Sequence, residues 1–179
     1  MNTQKHIKLL IDLLSESSNE DYTQILKDFD FDGIDFSEIE HWIPNCYSRN
    51  CFYRDSNFEL ILICWDKGQQ TAIHDHDGEE CWVYLLDGEM NEEYYKLDNQ
   101  GQLTLTHSQT LCKNQITKSD KKSGFHRLRN TTFSCSMSLH VYAKPIAKNR
   151  TFDEQLGCIV ENTLVDHTFS CIVDLEVVN

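Results

Sequence analysis

Near the amino terminus, apolar positions recur at helical spacing. Ile7, Leu10, Ile11 and Leu14 share one side of "MNTQKHIKLLIDLL", with Lys8 and Asp12 between them. This predicts an amphipathic helix, and "NEDYTQILKDF" predicts a second, shorter one. The stretch "DFDFDGIDFSE" alternates Asp28, Asp30 and Asp32 ahead of Gly33, as a calcium loop does. Its twelfth position is Ile39, where such a loop needs a bidentate glutamate. The segment is therefore read as a turn, with Asp35 capping a short helix and Glu38 completing a capping box.

From Cys46 onward the period shortens. "NFELILICW", "CWVYLL", "EMNEEYYKL", "GQLTLTHSQTL", "FSCSMSLHVYA", "GCIVENTLV" and "FSCIVDLEVV" are β-branched and aromatic runs separated by Gly, Asn, Asp or Lys-rich breaks. Strands at that spacing predict an all-β sandwich or barrel. The two prolines, Pro44 and Pro145, fall outside the strand interiors. The expected architecture is mainly β: one domain, in which a helical layer over 1–43 packs on a β-barrel over 44–179.

Charge narrows the range of partners. With 29 acidic and 16 basic side chains the formal net charge is −13, a field that repels nucleic acid. No apolar run approaches the roughly 20 residues of a membrane span. The amino-terminal segment, interrupted by Lys8 and Asp12, lacks the small-residue cleavage site of a secretory leader. Eight cysteines are present without a CxxC pair, which excludes the usual zinc-ribbon and thioredoxin patterns. Reduced, mostly buried thiols in a cytoplasmic protein are expected.

The candidate chemistry lies in "IHDHDGEEC", Ile73 to Cys81. Residues two apart on a strand project to the same side, so His74 and His76 can offer two neutral imidazoles to one divalent metal. A third ligand must come from elsewhere, and His107, His126, His140 and His167 are the candidates. His126, in the glycine-marked "SGFHRLRN", leads into a new strand and suits a facing position. Ser138, His140 and Tyr142 alternate along another predicted strand and share a face. They could form a Ser–His–Tyr hydrogen-bond chain or a polar stripe inside the barrel. No GxSxG elbow accompanies them, which argues against a Ser–His hydrolase.

Gly68, five residues, His74-x-His76, four residues, Cys81, six residues and Gly88 together match the first cupin motif, with cysteine at the usual glutamate position. His126, three residues and Asn130 keep part of the second. The chain resembles the cysteine dioxygenase family from about Cys46 to Pro145. "AIHDHDGEEC", "GFHRLRN" and "SLHVY" match its metal-ligand and tyrosine segments, and "CYSRNCFYRDSNFELILICW" matches its substrate-binding one. The resemblance implies ferrous iron on His74, His76 and His126. It implies L-cysteine and dioxygen as substrates, with both oxygen atoms passing to sulfur to give cysteine sulfinic acid. Arg49 would grip the substrate carboxylate, assisted by Tyr47, with Tyr142 at the open face of the metal supported by His140 and Ser138. Cys81 and Tyr142 occupy the two positions that the family joins by a thioether. After Tyr142 the family's "SPPFDTC" is replaced by "AKPIAKN", so Asn149 stands where a cysteine lines the entrance. Another small thiol such as 3-mercaptopropionate, or a non-catalytic metal-binding cupin, are the alternatives. A monomer is expected.

Overall fold

The computed structural model describes residues 3–120 and 124–169. Helix α1 (Thr3–Ser15) buries Ile7, Leu10, Ile11 and Leu14, the stripe set by their spacing. Helix α2 (Tyr22–Asp28) buries Tyr22 and Leu26 after a single 3-10 turn. Asp35 caps a one-turn 3-10 helix by accepting from the Ser37 amide. The expected capping box is not completed by Glu38: the Asp35 amide donates to Thr3 Oγ1, so this turn is tied to the start of α1.

Twelve strands follow: β1 (Ser48–Arg54), β2 (Glu59–Trp65), β3 (Ile73–His74), β4 (Glu80–Asp87), β5 (Glu89–Leu97), β6 (Leu103–Cys112), β7 (Ile116–Ser119), β8 (Phe125–Asn130), β9 (Ser136–Ala143), β10 (Lys148–Asp153), β11 (Cys158–Thr163) and β12 (Thr168–Phe169). They form two six-stranded sheets, ordered β12-β1-β2-β9-β4-β7 and β11-β10-β3-β8-β5-β6. The expected carboxy-terminal strand "FSCIVDLEVV", and with it Cys171, lies outside the described residues apart from Phe169.

The first sheet is buried on both faces, so β2 and β4 read as nearly continuous apolar runs. One face, with Leu60, Leu62, Trp82, Tyr84, Leu139 and Val141, meets Ile7, Leu10, Leu14 and Leu26 of the helices. The other, with Ile61, Ile63, Trp65, Val83 and Leu85, meets Met90, Leu111 and Leu128 of the second sheet. The helical layer thus removes from water an apolar sheet face that would otherwise be exposed. β6 is an edge strand with one buried position, and its alternation is correspondingly weak.

The expectation of mostly buried thiols is corrected: Cys51, Cys64 and Cys81 are buried, but Cys46, Cys112, Cys135 and Cys158 are exposed. The buried three lie inside β1, β2 and β4, whereas the exposed four lie in connections or at strand ends. All seven are free thiols.

Candidate metal centre

Three histidines converge between the sheets. Their ligand atoms all lie within 4.8 Å of one another. His74 and His126 are direct cross-strand partners on β3 and β8, with ring centroids 4.5 Å apart. The His76 ring is 4.7 Å from that of His126. Strand β3 ends at His74, so the alternation expected to carry both ligands stops short of His76. What keeps the pair together is Asp75. Its carboxylate accepts from the backbone amide (3.0 Å) and Nε (2.7 Å) of Arg150, and its own amide donates to the Arg150 carbonyl. Locked to β10, Asp75 turns away and leaves its neighbours to share the pocket. His107 and His167 lie elsewhere: His107 stacks on Tyr94 at 4.3 Å, and His167 accepts the Arg49 amide through Nδ1.

The donor chemistry fits a divalent first-row metal. Burial, and then the neighbouring His126, push His74 down to about 3, and burial holds His76 well below the ordinary histidine range. Both rings are therefore neutral. His74 Nδ1 donates to the Ala72 carbonyl and His126 Nδ1 to the carboxylate of Glu92, which leaves both Nε2 lone pairs for a metal. His126 Nε2 lies 3.0 Å from His76 Nε2.

Glu92 belongs to no motif, and Asp75, inside "AIHDHDGEEC", reads from sequence only as the spacer between two ligands. The signal for Glu92 was an acidic residue in the buried phase of β5, between Met90 and Tyr94, and Glu92 is fully buried. Burial alone would raise its pKa, yet hydrogen bonds from His126 and Gln109 outweigh that and hold its carboxyl below the ordinary range.

The first sheet supplies the opposite wall. A narrow cavity of about 50 Å³ is lined by residues that include Tyr47, Arg49, His74, His76, His140 and Tyr142, with Asn149 and Leu164 also on its wall. Only a small ligand fits such a space. Arg49 is buried; its Nη1 reaches the Tyr142 hydroxyl at 3.4 Å, while Nη2 has no hydrogen-bond partner among the described residues. Burial works against its charge, but Tyr142, Asp166 and Glu59 more than offset it and raise the guanidinium's pKa. Nε of Arg49 is 3.6 Å from Asp166, which also pairs with Arg54, and Arg54 in turn holds the buried Glu59. A charged donor with an unmet N–H on a cavity wall has the chemistry to accept a carboxylate ligand.

Cys81 and Tyr142 are cross-strand partners on β4 and β9, and both are buried. Burial raises both pKa values, so thiol and phenol are protonated. The expected Ser138–His140–Tyr142 chain is corrected in its last link. Trp65 Nε1 donates to Ser138 Oγ, which is 2.9 Å from His140 Nε2. The His140 and Tyr142 rings instead stack at 6.2 Å, and Tyr142 turns its hydroxyl to Arg49. Tyr47 lies on Trp65, with ring centroids 4.9 Å apart.

Fold and site together define a cupin with three histidines able to hold a metal and an arginine-lined pocket beside them. A cupin domain from Schizosaccharomyces pombe is similar in fold, at TM-score 0.50 and 7% identity over 63% of this chain and 74% of that one. The family profile of cysteine dioxygenase type I matches residues 3–155, and the chain belongs to that family of oxidoreductases. Cysteine dioxygenase type 1 of Danio rerio is 27% identical over 149 residues, covering 80% of this chain and 74% of the relative. That of Rattus norvegicus is 24% identical over 168 residues, covering 90% and 84%.

Proposed function

We propose that this protein oxidises L-cysteine with dioxygen to cysteine sulfinic acid at ferrous iron held by His74, His76 and His126. The observation that carries the reading is that Arg49, whose Nη2 is unpaired among the described residues, lines the same small cavity as His74 and His76 of the three-histidine cluster. Amino acid carboxylate and thiol have matching receptors across one small space. When bound, the iron supplies the redox chemistry that joins sulfur to dioxygen.

The chain's own residues do the rest. Arg49 grips the carboxylate and so fixes the distance from it to the sulfur, assisted by Tyr47. Tyr142, a protonated phenol beside Arg49, offers a hydrogen bond to the reacting groups. Ser138 and Trp65 fix the His140 ring, and His140 supports Tyr142 by stacking. The facing sheets exclude water, so positioning is the main contribution of the protein. Cys81, opposite Tyr142, stands where a thioether to the tyrosine ring can form. A cytoplasmic, monomeric enzyme without nucleic acid or membrane partners is part of the same reading; within the described residues no helix is long and apolar enough to cross a membrane.

Anaerobic loading with ferrous iron, then oxygen uptake with L-cysteine, 3-mercaptopropionate and cysteamine, tests the proposal. Uptake fastest with L-cysteine, one dioxygen per sulfinate formed, is expected. Faster uptake with 3-mercaptopropionate would reassign the substrate, and no uptake with any thiol would leave a binding-only cupin.

A further inference from the structure

In the cupin motif the carboxylate that would ordinarily reach the metal is replaced at position 81 by a buried, protonated thiol. Three neutral imidazoles then face a dication with no balancing charge. Glu92 lies directly behind one of them. Its Oε1 is 2.8 Å from His126 Nδ1, and its side chain is fully buried. Oε2 accepts from the Gln109 amide at 2.9 Å. The same amide nitrogen lies 3.0 Å from both Tyr94 Oη and Thr117 Oγ1, and those two oxygens are 2.9 Å apart. Three strands, β5, β6 and β7, thus hold the carboxylate in one orientation. His74, by contrast, is backed among the described residues by the neutral Ala72 carbonyl.

Resting on the three-histidine reading above, we infer that Glu92 is a positioning residue for the metal centre. It fixes the tautomer and angle of His126 and returns to the site, one residue further out, the negative charge that position 81 no longer supplies. A divalent ion with Glu92 behind its ligand carries one uncompensated positive charge, the right complement for a single thiolate. Without Glu92 there would be two, and any second small anion would compete with the thiol.

The test uses the full chain, stripped of metal and titrated with cobalt(II) against a chromophoric chelator at fixed pH. Glu92→Gln keeps the shape and one acceptor oxygen but removes the charge; Glu92→Asp keeps the charge and withdraws it. Both should bind cobalt about 10–100-fold more weakly than wild type, with an altered cobalt absorption spectrum and an unchanged thermal midpoint of the metal-free protein. Cobalt affinity of Glu92→Gln within threefold of wild type would overturn the inference while leaving the three-histidine centre intact. Absence of cobalt binding by wild type would instead overturn the centre itself. Should Glu92→Gln not fold, Gln109→Met, which removes a donor that holds the carboxylate, carries the test: weaker cobalt binding supports the role and unchanged binding refutes it.

Discussion

Cys81 and Tyr142 face one another across β4 and β9, in direct register and out of contact with water. Directly opposed residues in an antiparallel pair hold their Cβ atoms about 5 Å apart, within reach of a bond between Sγ and the tyrosine ring. Forming it removes the thiol hydrogen and one ring hydrogen, with dioxygen as the oxidant. After turnover with iron, cysteine and dioxygen, the intact mass should fall by two hydrogens and a faster-migrating band should appear under denaturing, reducing conditions. Cys81→Ser should show neither change yet keep measurable activity.

Among the described residues that line the small cavity Arg49 is the one charged side chain, and its unmet N–H is the proposed carboxylate subsite. A charge-assisted hydrogen bond of this type contributes about 1.5–3 kcal/mol. Arg49→Lys should therefore raise KM for cysteine about tenfold to a hundredfold in oxygen-uptake assays, with a smaller effect on kcat. For cysteamine, which has no carboxylate, the variant and the wild type should differ little.

Removal of the metal should abolish activity without unfolding the protein, since two separate apolar clusters stabilise the sheets. Ferrous iron should restore turnover after chelation. Zinc should bind and fail to restore it, because it fits imidazole ligands but has no redox chemistry. His126→Ala should lose metal binding, as measured by metal content after dialysis.

Stability should fall in alkali. Burial pushes Cys51 up to about 12 and Cys64 up to about 11, against about 8.5 for a solvated thiol. The folded pKa is the higher one, so the unfolded chain releases its proton first. The contribution is fully present below about pH 8.5 and is lost as pH rises through 11 to 12, at no more than about 1.4 kcal/mol per pH unit for each thiol. Urea midpoints measured from pH 8 to 11 should decline, and Cys64→Ala should flatten that decline even though it lowers stability throughout.

Gly88 joins β4 to β5 with φ +86°, and a Cβ there would meet Ser136 Oγ at 2.1 Å and Ser136 Cα at 3.1 Å. Backbone strain and overpacking each cost about 1–3 kcal/mol. Gly88→Ala should therefore destabilise the fold by at least about 2 kcal/mol in urea unfolding.

What was legible in the chain depended on burial pattern. The stripe of α1, the apolar runs of β2, β4 and β9 and the spacing around His74, His76 and Cys81 were all readable, because each is dictated by local geometry. β1 and β10 were not: Ser48, Arg49 and Asn50 are polar residues buried against partners far along the chain. The alternation predicts one strand carrying both His74 and His76, but β3 ends at His74. Glu92 and Asp75 escaped for a related reason. Their roles exist only once β8 and β10 have paired with their neighbours, and a carboxylate in a strand looks the same whether it faces solvent or the back of an imidazole.

The backbone of Arg49 is clasped from the far end of the chain: its carbonyl accepts the His167 amide, its amide donates to the His167 ring, and Asp166 pairs with its guanidinium. These residues follow position 155, where the family match stops. The proposed carboxylate subsite is thus braced by residues that lie beyond the family profile. A change confined to positions 166 and 167 would therefore alter how stiffly that arginine stands while leaving the three histidines as they are.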